Sequence, residues 1–183
     1  SVEDARTWYQ RWYAPNNASL VVAGDFNPDE VKSWVQTYFG GIPKVEVKAA
    51  PPAPAAKLTK VVRETIEDNV KLPKVIMAWH SPSHFAAGDA ELDLLATILE
   101  QGKASRLYKA VVYDKPLAQE VTASQQSGEM GSRFVVEAIA RPGVTLEALE
   151  KAIDAELEKI RKVEVTQAEL SRAQNQFEMG FFS

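Results

Sequence analysis

The sequence predicts an α+β fold: an antiparallel sheet with helices packed on one face, preceded by a helix–strand–helix piece. Three observations carry this reading. From residue 58 onward, apolar runs of strand length and amphipathic runs of helix length succeed one another in the order β-β-α-α-β-β-α-α, and paired strands followed by paired helices favour an antiparallel sheet with segregated helices. Before residue 44 a single strand-like run lies between two helical ones, too few strands for a sheet of its own. Between the two pieces the composition shifts to Pro and Ala. With 183 residues and 45% hydrophobic side chains, the chain can bury a core without disulfide or metal staples.

Ser1 with Asp4 three residues on makes a capping-box pair, and Ala5, Trp8, Tyr9 and Trp12 recur at helical spacing until Ala14-Pro15-Asn16-Asn17. Ser19 to Gly24 is a short apolar run that reads as a buried strand. Asn27-Pro28-Asp29-Glu30 combines an N-cap, a first-position Pro and first-turn acid. It opens a helix with Val31, Trp34, Val35 and Tyr38 on one face, closed by Gly40-Gly41. Trp8, Trp12, Trp34 and Trp79 are expected in the core. Residues 44–57, centred on Ala49-Ala50-Pro51-Pro52-Ala53-Pro54, read as a stiff extended linker.

In the second piece, 58–183, Val61 to Ile66 and Lys74 to His80 read as strands. Leu92, Leu95, Ala96 and Leu99 mark a helix that stops at Gly102. Leu107 and Val111 mark a shorter helix that ends before Pro116. Val121 to Gln125 and Arg133 to Ala140 read as a hairpin around a loop longer than a tight turn. Leu146, Leu149, Ile153, Leu157 and Ile160 outline a long amphipathic helix. The capping box Thr166-Gln167-Ala168-Glu169 opens a last helix, and the apolar end at Phe181-Phe182 reads as a helix that continues past Ser183.

Composition bounds the chemistry. The 21 Lys and Arg against 25 Asp and Glu leave a formal charge of −4, without the basic excess of a nucleic-acid binder. The apolar runs are too short for a transmembrane helix, and the acidic start Ser1-Val2-Glu3-Asp4 is unlike a signal peptide. Zero Cys excludes a thiol nucleophile and Cys-ligated zinc. The two histidines, His80 and His84, flank Ser81-Pro82-Ser83, and Pro82 argues against the helix that would turn them to one metal. Gln101-Gly102-Lys103-Ala104-Ser105 lacks the first Gly and the Ser/Thr of a phosphate-binding loop. Val22-Ala23-Gly24-Asp25 lacks the further glycines of a dinucleotide site, and no Ser sits in a Gly-x-Ser-x-Gly elbow. Carboxylate pairs such as Glu64 with Glu67 and Glu156 with Glu158 sit among Lys and Arg, as on solvated faces. Taken alone, the residues reveal no active site.

Several stretches together resemble the M16 metallopeptidases, the pitrilysin/insulinase family: Trp8 through Phe26, with its Tyr13-Ala14-Pro15-Asn16-Asn17 and Gly24-Asp25; Tyr38 through Pro43; and Ile98 through Tyr108, with Ser105-Arg106-Leu107-Tyr108. The resemblance implies tandem α+β domains whose halves close around a peptide. It implies a zinc on an inverted His-x-x-Glu-His helix, where the Glu activates the metal-bound water. That motif is absent here. The resemblance therefore implies that 1–43 ends a zinc-type domain, 44–57 links, and 58–183 is a following domain, truncated at its C-terminus. Zinc is expected in the parent enzyme and no cofactor in this piece, which alone should be inactive. The Arg and Tyr that complete the site from an opposing half would fall on Val112 and Gln119, so neither is present and a second half or subunit must supply them. Gly102, Ser105 and Arg106 are the candidate chamber or substrate contacts. The expected partners are a peptide substrate and that second half, with no nucleic acid and no membrane span. The setting would be soluble, in a bacterial cytoplasm or periplasm. Two alternatives compete with a non-catalytic part of a zinc endopeptidase. One is an inactive scaffold or processing-partner subunit. The other is an unrelated ligand-binding module with a closed apolar pocket.

Overall fold

The computed structural model describes residues 1–47 and 57–182. Of the linker expected over 44–57, residues 48–56 lie outside the described residues, as does Ser183. The chain divides into two compact units, Ser1–Pro52 and Ala53–Ser183.

In the first unit, α1 (Val2–Trp12) begins on the capping box: Asp4 N–H donates to Ser1 Oγ at 3.2 Å, and the Asp4 carboxylate reaches back to the Ser1 amino group at 2.7 Å. A 3-10 turn, Pro15–Asn17, follows, and α2 (Pro28–Phe39) starts where Asn27 Oδ1 accepts from Asp29 N–H at 2.9 Å. Asn16 ties the end of the unit back to its middle, donating to the Val45 carbonyl at 2.9 Å and accepting from Val45 N–H at 3.1 Å.

Two expectations fail in this unit. Ser19 to Gly24 forms no strand, because a strand is completed by a partner's hydrogen bonds and none of the described residues offers them. Trp8 and Trp34 are not core: they are 57% and 55% exposed, and Trp12 is half-buried. The helical periodicity is real, but the apolar face it makes has no sheet to cover. The rings pack locally instead, Tyr9 stacked on Tyr13 with centroids 4.7 Å apart.

The second unit holds the core. Three strands, β1 (Lys74–Ser81), β2 (Ala118–Gln126) and β3 (Ser132–Ala140), form an antiparallel sheet in the order β1-β3-β2. The register pairs Val75 with Ala138 and Met77 with Val136 on one side, and Val121 with Ala138 and Ala123 with Val136 on the other. Because side chains alternate along a strand, these residues share one face. That face packs on α3 (Asp89–Glu100) and α4 (Leu146–Lys162) through Ala96, Leu99, Leu149 and Ile153. Leu99, Leu107, Val111, Val136, Leu149 and Ile153 are fully buried, each stabilising the fold by about 1.5–3 kcal/mol. The α+β architecture with helices on one face of an antiparallel sheet is as the sequence predicts.

Three details differ. Val61 to Ile66 is exposed and outside the sheet; its link to the core is the two-point ion pair of Arg63 with Glu150 on α4. The short helix after Gly102 is a π-helical segment, Tyr108–Asp114, with Val111 turned into the core. Trp79 shares the core-side face of β1 but lies at its end, 40% exposed, against Phe134 at 6.4 Å between rings. The last helix, α5 (Gln167–Phe182), starts at the expected capping box and buries Ala173.

Candidate functional site

The segment that carries Gly102, Ser105 and Arg106 runs from the end of α3 to the π-helical segment. Gln101 caps α3, its N–H donating to the Thr97 carbonyl at 3.0 Å, and the chain then turns through Gly102 at φ +84°. A side chain would have open space there but would strain the backbone. The turn closes when Ser105 N–H donates to the Gly102 carbonyl at 3.0 Å, and the Ser105 carbonyl in turn accepts from Lys109 N–H.

The three candidates then part company. Gly102 is on the surface. Ser105 is fully buried, and its Oγ has no hydrogen-bond partner among the described residues. Arg106 is mostly buried and committed: its Nε and Nη2 donate to the two carboxylate oxygens of Glu169 at 2.7 and 2.9 Å. That hydrogen bonding raises the guanidinium pKa and, with Thr166, holds the Glu169 carboxyl down to about 2.

Beside this pair lies an open groove of about 530 Å³ between the π-helical segment, α4 and the start of α5. Arg106 and Glu169 form one wall. On another, Glu156, mostly buried, accepts from Lys159 at 2.7 Å. Sequence reasoning missed Glu156, Glu169, Lys109 and Lys115 as groove residues, because their convergence is set by the packing of three separate helices.

A second polar knot sits at the other end of α3. Asp89 is buried and accepts from Ser127 Oγ at 2.6 Å, Gln125 Nε2 at 2.9 Å and Phe85 N–H at 2.9 Å, which together lower its pKa, the Ser127 bond most. One turn on, burial and the Asp89 charge raise the pKa of Asp93. Phe85 holds φ +62°, an uncommon conformation for an aromatic residue, while its ring stacks on His84 at 3.8 Å. The knot ties the 82–88 turn to the β2–β3 loop, where His84 N–H donates to the Gly128 carbonyl at 3.1 Å.

These residues do not fit a catalytic zinc. Among the described residues no three His, Asp or Glu side chains come together as ligands. His80 sits on the sheet face away from the helices, while His84 stacks on Phe85 and Asp89 already accepts three hydrogen bonds. The positions expected to lack Arg and Tyr are occupied without any pairing. Val112 packs against the core, and Gln119 falls at a bulge in β2 between Ala118 and Glu120, exposed. Among the described residues no helix is long and apolar enough to cross a membrane.

Residues 1–177 match the family model of the peptidase M16 inactive domain. The chain is 32% identical over 178 residues to the zinc protease PqqE of Helicobacter pylori, covering 94% of this chain and 39% of that protein. A solved structure of a protease from Helicobacter pylori is similar to the chain over its whole length, with a TM-score of 0.83 and 29% identity, and 45% of that protein is covered. The inactive peptidase domain of a Bordetella parapertussis protein is 28% identical with a TM-score of 0.54, covering 58% of each chain. The sequence thus spans less than half the length of the Helicobacter relatives.

Proposed function

Because the chain belongs to the M16 peptidase family, as an inactive-type domain matched over residues 1–177, we propose that it is the non-catalytic, peptide-binding part of a zinc-dependent M16 endopeptidase. In that reading 1–43 completes a preceding zinc-type domain, 44–57 links, and the 58–183 domain lines the chamber in which an extended peptide is held. The metal and its activated water belong to the parent protein. The zinc protease relative, of which this chain covers 39%, supports that assignment. The exposed aromatic face of α1 and α2 agrees with a piece whose remaining partners lie elsewhere in the parent.

One observation carries the peptide-binding reading. β1 pairs with β3 alone, so its outer edge presents backbone N–H and C=O groups that no described residue takes up. An extended peptide can add to such an edge as a further strand, with affinity from main-chain bonds and selectivity from alternate side chains. A ligand-binding module of unrelated function would instead enclose an apolar pocket; the groove beside Arg106 and Glu169 and the one beside Asn175 and Met179 are open.

Hydrogen exchange on the 183-residue chain tests this. An extended peptide should slow exchange in Lys74–Ser81, and the same peptide N-methylated at alternate positions should not. Protection that skips β1, or that survives N-methylation, overturns the edge-binding reading. Stoichiometric zinc or chelator-sensitive cleavage by this chain overturns the non-catalytic one.

A further inference from the structure

The groove between the π-helical segment, α4 and the start of α5 is not used by the reading above. We infer that it is a second binding surface, and that its occupant is an acidic segment of a polypeptide. Two cations on it are uncommitted: the ammonium groups of Lys109 and Lys115, both on exposed side chains, make no hydrogen bond or ion pair with any described residue. The other charges largely settle among themselves, since Glu169 is taken by Arg106 and Glu156 by Lys159. Asp114 is the one acid at the groove left without a partner, so two free cations face one free anion. In a chain of formal charge −4, this local excess is of the opposite sign to the whole.

The shape agrees with a chain-like occupant. Ala104, Ala110, Ala152 and Ala155 line the groove beside the charged side chains, and the groove is open to solvent. Their methyl groups give a peptide backbone and small side chains an apolar floor, while carboxylates on the same peptide reach Lys109 and Lys115. Such contacts act at short range and weaken as salt rises.

The test uses two synthetic peptides, one alternating Glu with Ala and one alternating Lys with Ala, titrated into the 183-residue chain. The acidic peptide should bind, more weakly as salt rises, and the basic one should not. Lys109→Glu with Lys115→Glu should weaken binding by about tenfold or more. Lys60→Glu with Lys71→Glu, the same charge change outside the groove, should leave binding unchanged. Both pairs replace exposed side chains, and circular dichroism verifies that each variant is folded. An N-methylated acidic peptide should still bind, because recognition is through side chains. This separates the groove from the β1 edge, and either can fail alone. No binding of the acidic peptide, equal binding of the basic one, or equal loss with the Lys60 and Lys71 pair overturns the assignment.

Discussion

The Glu169 carboxylate does two jobs at once: it receives the Arg106 guanidinium through both oxygens, and it caps α5 by accepting from the N–H and Oγ of Thr166, each at 2.8 Å. A family-like Ser-Arg-Leu-Tyr segment and the start of the last helix are thereby fastened at one point. Arg106→Ala should cost about 1.5–3 kcal/mol in urea denaturation, the range for a charged hydrogen-bonded pair. Glu169→Ala should cost more, because it also unties Thr166. Glu169→Gln keeps an oxygen for Thr166 and should fall between wild type and Glu169→Ala.

The same carboxylate gives a pH dependence of definite sign. Its folded pKa lies near 2, against an ordinary 4.5, so the unfolded chain takes up the proton first. The contribution is complete above about pH 4.5 and is lost as pH falls toward 2, amounting to roughly 3 kcal/mol at neutral pH. Stability measured from pH 7 down to pH 2 should fall less steeply in Glu169→Gln than in wild type. Parallel curves would show that the pair is not charged in the way described.

Asp89 and Asp93 should respond in opposite senses. Asp89 has its pKa lowered by three hydrogen bonds, so its contribution is present at neutral pH and is lost on acidification. Asp93 has its pKa raised by burial beside Asp89, so its charged form opposes folding at neutral pH. Asp93→Asn should therefore raise Tm at pH 7, and the gain should vanish below the ordinary carboxylate range, where both states are protonated. Asp89→Ala should lower Tm at pH 7 and loosen the 82–88 turn. Thermal melts at the two pH values check both signs.

Ser105 is a different kind of case. Its hydroxyl is buried without a partner, and an unpaired buried polar group costs free energy that an apolar replacement does not. Ser105→Ala should leave stability unchanged or raise it by up to about 1 kcal/mol. A clear loss would mean that the hydroxyl has a bound water or another partner.

How far the sequence carried can be seen at particular residues. The capping boxes at Ser1–Asp4 and Thr166–Glu169 form as written, because they are local and need only neighbours three residues apart. The β2–β3 hairpin forms as well, because its strands are consecutive in the chain and joined by a short loop. Trp8 and Trp34 lie outside the core despite their helical spacing, because periodicity reports which face of a helix is apolar and not whether anything covers it. Val61 to Ile66 has strand composition, but strand propensity expresses packing on a sheet, and among the described residues no strand pairs with the segment. The Arg106–Glu169 pair joins residues 63 apart, a separation at which sequence pattern is silent. Denaturation separates a covered side chain from an uncovered one: Leu99→Ala should cost about 2–5 kcal/mol and Trp8→Ala far less in this chain.

Arg63 and Glu150 offer the last test, on the segment that composition favoured as a strand. Arg63 Nη1 donates to Glu150 Oε2 at 2.7 Å, and Nη2 donates to the other oxygen, 87 residues away along the chain. Arg63 is largely exposed whereas Glu150 is mostly covered, so the pair contributes little to global stability but fixes where the segment lies. Arg63→Ala should leave Tm nearly unchanged while increasing protease cleavage between residues 58 and 70, because local opening is set by the few contacts that hold a segment. Raised salt should reproduce the effect in the wild-type chain by screening an exposed pair. If cleavage stays at the wild-type rate in both conditions, something other than this ion pair holds Val61 to Ile66 in place.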